Sequence, residues 1–101
     1  MKYASQETDL LFEAILSLKD KEECYKFFDD VCTVKEILDI AQRFAVAKML
    51  NDKKSYQAIA KETGMSTATI CRVNRCLLYG GGGYQMAIDR VKESNGEKNE
   101  N

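Results

Sequence analysis

The chain has 101 residues, no proline, no tryptophan, no histidine, and a formal net charge of −1. That length suits one domain with a modest core, and the missing histidine argues against acid–base catalysis or a metal centre as the main activity. The near-neutral total hides a gradient: four Lys/Arg against eight Asp/Glu in residues 1–34, eight against four in 35–79, and three against four in 80–101.

Residues 1–8 read as an N-terminal arm. After Asp9, the positions Leu10, Leu11, Ala14, Ile15 and Leu18 form one stripe at helical spacing. Asp20 then caps a second helix, with Glu23 three residues on, and Cys24, Phe27, Phe28 and Val31 line its apolar side. Thr33 and Glu36 make a fuller capping box, in which hydroxyl and carboxylate satisfy opposite orphan amides. The helix it starts runs to about Leu50. Ile37, Ile40, Ala41, Phe44 and Ala47 form its main stripe, widened by Val34, Leu38, Ala45, Val46, Met49 and Leu50. A helix apolar over so much of its girth needs cover on several sides, and in so short a chain a second copy is the expected source.

The polar turn "NDKK" (51–54) leads to two short helices capped by Ser55 and Ser66. Tyr56, Ile59 and Ala60 face inward on the first; Ile70, Val73 and Leu77 do so on the second. "GGGG" (80–83) ends the pattern, because four glycines carry too much backbone entropy for a helix to continue. Tyr84, Ala87, Ile88 and Val91 predict a last amphipathic helix. The polar end, 94–101, is expected to be disordered, so the folded domain spans 9–93. No strand-type alternation is present, and the fold class is all-α, with about six helices.

Cys24, Cys32, Cys71 and Cys76 form no CxxC pair. No zinc site is therefore predicted, and the thiols read as reduced, small apolar fillers in a cytoplasmic protein. Glu13 interrupts "LLFEAIL", so no secretory h-region forms, and no stretch is long enough for a membrane span.

Function enters with residues 55–77, "SYQAIAKETGMSTATICRVNRCL". Ala60 falls where two helices cross closely, and Gly64 at a turn that needs positive φ. Ile59, Met65, Ile70 and Val73 take the inward positions. These are the requirements of a helix-turn-helix, met in register, with Thr63 more polar than its half-buried slot suggests. Ser66, Thr67, Ala68, Cys71, Arg72 and Arg75 point outward, and no acidic residue occurs from Thr63 to Gly83. Small side chains permit close approach to base edges, hydroxyls and free amides suit phosphates, and arginine suits guanine or phosphate. Lys53, Lys54 and Lys61 add expected phosphate contacts. The partner predicted is double-stranded DNA, and the function a sequence-specific transcriptional regulator, expected to be a repressor.

"TVKEILDIAQRFAVAKML" followed by "SYQAIAKETGMSTATICRVNRCLLYG" resembles the Trp-repressor superfamily, in its YerC/YecD-type Trp-repressor-related branch, over roughly residues 10–85. The resemblance implies an intertwined homodimer presenting two recognition helices to successive major grooves. It also implies a ligand site. The founding member binds L-tryptophan between two arginines, which match Arg43 and Arg72 here, and the backbone that receives the ligand's amine corresponds to Cys32 and Thr33. Two departures stand out: Val73 replaces a glycine and Cys76 a serine. The β-branched Val73 is expected to fill the indole space, and a thiol is the weaker hydrogen-bonding group. L-Tryptophan is therefore not an expected ligand, no cofactor is predicted, and any other effector of this gap is unknown.

Two other classes compete. A helical module that docks another regulator would use the acidic N-terminal helices. An enzyme has less support, since no nucleophile stands beside a base, and "GGGGY" follows no strand and precedes no P-loop lysine.

Overall fold

The computed structural model describes residues 1–96 and contains six α-helices: α1 (Gln6–Leu16), α2 (Lys21–Val31), α3 (Val34–Asn51), α4 (Tyr56–Thr63), α5 (Thr67–Tyr79) and α6 (Gly83–Ser94). No strand occurs among the described residues, so the class is all-α. The chain divides into two compact units, Met1–Ile37 and the part from Leu38 on, with α3 running through the boundary.

In the N-terminal unit, local hydrogen bonds set the helix starts. Ser5 caps α1 by accepting the Thr8 amide at 3.1 Å, and the Thr8 hydroxyl donates to the Tyr3 carbonyl at 2.7 Å. The helix therefore begins inside the expected arm 1–8, because Ser5 and Thr8 form a cap of their own ahead of Asp9. Asp20 accepts the Glu23 amide at 2.9 Å, while the Glu23 carboxylate takes the Lys19 amide at 2.9 Å. At α3 the reciprocal box forms as expected: Glu36 donates its amide to Thr33 Oγ1 at 3.1 Å and accepts the Thr33 amide at 2.9 Å. Those bonds hold the exposed Glu36 carboxyl below its ordinary pKa. Phe27 and Phe28 meet edge to face, centroids 5.3 Å apart. Yet no residue of α1 or α2 is fully buried, and Leu16 is 84% exposed.

The other unit holds the core. Val46, Ala47, Leu50, Ile59, Ile70, Val73 and Ile88 are buried, with Phe44, Met49, Tyr56, Ala60, Met65, Leu77 and Tyr84 packed against them. Fully burying one such aliphatic side chain is worth about 1.5–3 kcal/mol, so these few residues carry most of the unit's cohesion. The first half of α3 is different: Val34, Leu38 and Ile40 are 71%, 62% and 54% exposed.

After α3 the chain turns through Lys53, whose φ is +67°. The Lys53 amide bonds back to Leu50 O and the Lys54 amide to Met49 O, at 3.0 and 3.1 Å, the pairing of a Schellman cap. Asp52 gathers Lys48 (3.3 Å) and Lys92 (3.0 Å), tying the end of α6 to the end of α3. Lys92, hydrogen-bonded to Asp52, holds that carboxyl below its usual pKa, with Lys48 adding to the effect against the opposing cost of burial.

Gly80 caps α5, where a Cβ would collide with the Cys76 carbonyl. The glycine run is shorter than a full break, however, since Gly83 already belongs to α6. The end predicted to be disordered, 94–101, lies outside the described residues from position 97 on; Ser94 is the last residue of α6 and Asn95 its C-cap. The cysteines depart from expectation. All four are free, but Cys24, Cys71 and Cys76 are exposed in the single chain and fill no core space; Cys32 is half-buried. Cys71 belongs to the outward face of α5, and Cys32 is the C-cap of α2.

Candidate nucleic-acid interface

Residues 55–79 build a helix-turn-helix from local signals. Ser55 caps α4 by accepting the Ala58 amide at 3.1 Å, and Ser66 caps α5 by accepting the Thr69 amide at 3.2 Å. Between them Gly64 sits at φ +75°, its amide donating to Ala60 O at 2.8 Å. Nothing lies within 4 Å of the space a Cβ would take there. Conformation, not crowding, selects glycine.

Thr63 earns its polar character in this turn. Its hydroxyl donates to Ile59 O at 2.7 Å and accepts the Met65 amide at 3.2 Å, bracing both sides of Gly64. Its carbonyl accepts the side-chain amide of Gln42, from α3, at 3.2 Å. The sequence gives no local sign of that last bond, which joins positions 21 residues apart.

Ile70 and Val73 bury one side of α5, with Leu77 packed behind them. Ala68, Cys71, Arg72 and Arg75, spaced i, i+3, i+4, i+7, share the opposite stripe, and all are exposed. Ser66 and Thr67 are exposed at its N-terminal end, and the first turn carries no acidic residue. The helix start therefore keeps its partial positive charge uncompensated, an arrangement that favours an anion. The Ser66 hydroxyl is engaged in the cap and in a 2.9 Å contact with Thr69 Oγ1. Lys53, Lys54 and Lys61 are exposed around the same head. Lys54 lies 3.2 Å from Glu62, an exposed pair of small energetic weight.

Two clefts open beside this head, each sharing Arg43, Thr69 and Arg72 in its wall. One, of about 380 Å³, adds Asp39, Gln42, Gly64 and Met65. The other, of about 340 Å³, adds Val73, Cys76 and Tyr84. The structure thus brings Arg43, Arg72, Val73 and Cys76 together. Cys32 and Thr33 have their places in the N-terminal unit, where Thr33 caps α3. Sequence reasoning missed Gln42, Thr69 and Tyr84. Thr69 was findable from its spacing to Ser66. Tyr84, whose ring stands 6.3 Å from Phe44, reaches the cleft only because the chain reverses at the glycines.

No helix among the described residues is long and apolar enough to cross a membrane. The family model described as Trp repressor protein matches residues 6–92. A Bacillus subtilis protein described as uncharacterized protein YerC is 58% identical over 96 residues, covering 95% of this chain and 92% of its own. A solved structure of a TrpR-like protein from Eubacterium eligens is 55% identical with a TM-score of 0.84, covering 98% of both chains. Another, from Staphylococcus aureus, gives a TM-score of 0.86 at 49% identity, over 97% of this chain and 95% of that one.

Proposed function

We propose, from the premise that this chain belongs to the Trp repressor family, that it is a transcriptional regulator binding duplex DNA as a homodimer through α4 and α5. The observation that carries the reading is the exposed, acid-free stripe Ala68, Cys71, Arg72, Arg75, set on a helix whose approach is fixed by Gly64. In a helix-turn-helix the second helix enters the major groove and its first turns meet the bases. Ala68 and Cys71 are small enough for close approach. Arg72 and Arg75 reach guanine O6 and N7 or phosphate, and Lys53, Lys54 and Lys61 hold the flanking backbone. Affinity then falls steeply with salt, as counterions released from the phosphates compete.

The dimer supplies both symmetry and cover. One chain leaves apolar side chains along α1 and the start of α3 in water, and a second copy is the partner that a two-fold pair of reading heads requires. Occupied DNA is blocked to other proteins, so the simplest mode of action is repression. The place of action is the cytoplasm, where four free thiols stay reduced.

L-Tryptophan is not the controlling ligand in this reading. Val73 is β-branched and buried in the cleft wall where the repressor has glycine, and Cys76 offers a weak hydrogen-bonding group. The chain has no tryptophan of its own, so indole fluorescence reports ligand alone; no saturable change is expected on titration.

The test of the DNA reading is Arg72→Ala combined with Arg75→Ala. Duplex retention on a gel at low salt should be lost while the helical signal by circular dichroism is kept. Undiminished retention would refute the assignment of α5 as the reading helix, and a protein partner still bound by the variant would favour a docking module.

A further inference from the structure

We propose that Gln42 is a positioning residue: its side-chain amide, bonded to the Thr63 carbonyl, fixes the angle at which α5 is presented to DNA. The inference rests on the DNA-binding reading and adds to it a device that sets the reading head without a ligand.

The bond is placed at the pivot. Thr63 ends α4, and its carbonyl is one of the terminal acceptors that an α-helix leaves without an intrahelical donor. Gln42 supplies that donor from α3 at 3.2 Å. The next residue is Gly64, with φ +75°, the point about which α4 and α5 change direction. Thr63 is itself braced on both sides of the turn, through Ile59 O and the Met65 amide. A pull on the Thr63 carbonyl is therefore transmitted to the start of α5.

The packing beneath seats the head, since Val46, Ala47 and Leu50 of α3 share one core with Ile59, Ile70 and Val73. A hydrogen bond is directional, and weakens steeply off line. Gln42 adds the directional element on the side of the head that also carries Arg43 and Arg72, one face of the same cleft. Gln42 is exposed, so its loss leaves the core intact; the effect expected is on orientation.

Half-site spacing reads orientation directly. Duplexes enriched by the wild-type chain from a random pool serve as probes, each beside a version lengthened by one base pair at its centre. Gln42→Met keeps size and removes the donor. It should bind the enriched duplex more weakly, by roughly fivefold per reading head, the worth of one neutral hydrogen bond. It should lose less on the lengthened duplex, so discrimination between the two narrows. Gln42→Lys restores a donor and should recover the discrimination, whatever its charge adds to both affinities. Binding is measured below the melting transitions of all three proteins. Equal weakening of both duplexes by Gln42→Met, or unchanged discrimination, overturns the positioning role. If the wild type enriches no duplex at all, the DNA-binding reading fails and this one with it.

Discussion

Residues 1–40 and residues 44–88 are both helical and amphipathic, yet they behave oppositely. The later segment contains every fully buried side chain of the described chain, and its cohesion is its own. The earlier one is no less apolar in pattern, but Leu16, Val34 and Leu38 remain mostly in water. Charge divides along a similar line, acidic before Lys35 and basic from there to Tyr79. Helical pattern alone does not make a core; the pattern must find a matching face. The later segment supports itself, while the earlier one leaves an apolar face still to be covered.

The sharpest way to break that contrast is at the core. Ile59→Ala should cost about 2–5 kcal/mol, seen as a lower urea midpoint, because the cavity forms inside a small cluster. If it costs no more than an exposed substitution, the later segment is not self-supporting. Next comes the surface left open. Leu38→Asp should weaken self-association at least tenfold, about 1.4 kcal/mol. Sedimentation should show monomer at concentrations where the proposed wild-type dimer persists, and the concentration dependence of Tm should vanish. A wild type that sediments as monomer at every concentration would remove the contrast altogether.

Smaller effects sharpen it at the joint between α3 and the head. Lys53 holds a left-handed backbone that glycine adopts freely, at a cost of roughly 1–2 kcal/mol to an L-residue. Lys53→Gly should leave stability unchanged or raise it by up to about 1 kcal/mol, once glycine's greater unfolded-state entropy is set against the relief. The same variant should bind DNA more weakly and with a shallower salt slope. Stability and affinity moving together would argue against a phosphate contact.

Asp52 gives the smallest effect, and one that depends on pH. Its carboxyl is held below the ordinary value, first by Lys92. The ion pair therefore stabilises the fold above an unfolded pKa of about 3.9 and ceases to do so as pH falls through the lower folded value. Asp52→Asn should be slightly less stable than wild type near neutrality, with the gap closing in acid; a gap that persists at low pH would assign the loss to something other than charge.

These expectations were legible in the sequence to different degrees. Asp20, Thr33, Ser55, Ser66 and Gly64 announce helix ends because capping and positive φ are settled within four residues. Ser5 was overlooked because its partner is a threonine hydroxyl where a glutamate usually marks the box. The outward stripe of α5 followed from periodicity. Cys24 and Cys76 did not, since a small side chain on a helix is buried or exposed according to what packs beside it. Gln42 was the least legible: its partner is a backbone carbonyl, which has no residue type to recognise.

Whether α5 reads DNA as one of a two-fold pair is decided by selection from a pool of random duplexes. Two enriched half-sites related by a two-fold axis are expected, with centres about one helical turn, 34–36 Å, apart. Recovery of no enriched sequence, or of a single unrepeated site, would contradict that reading.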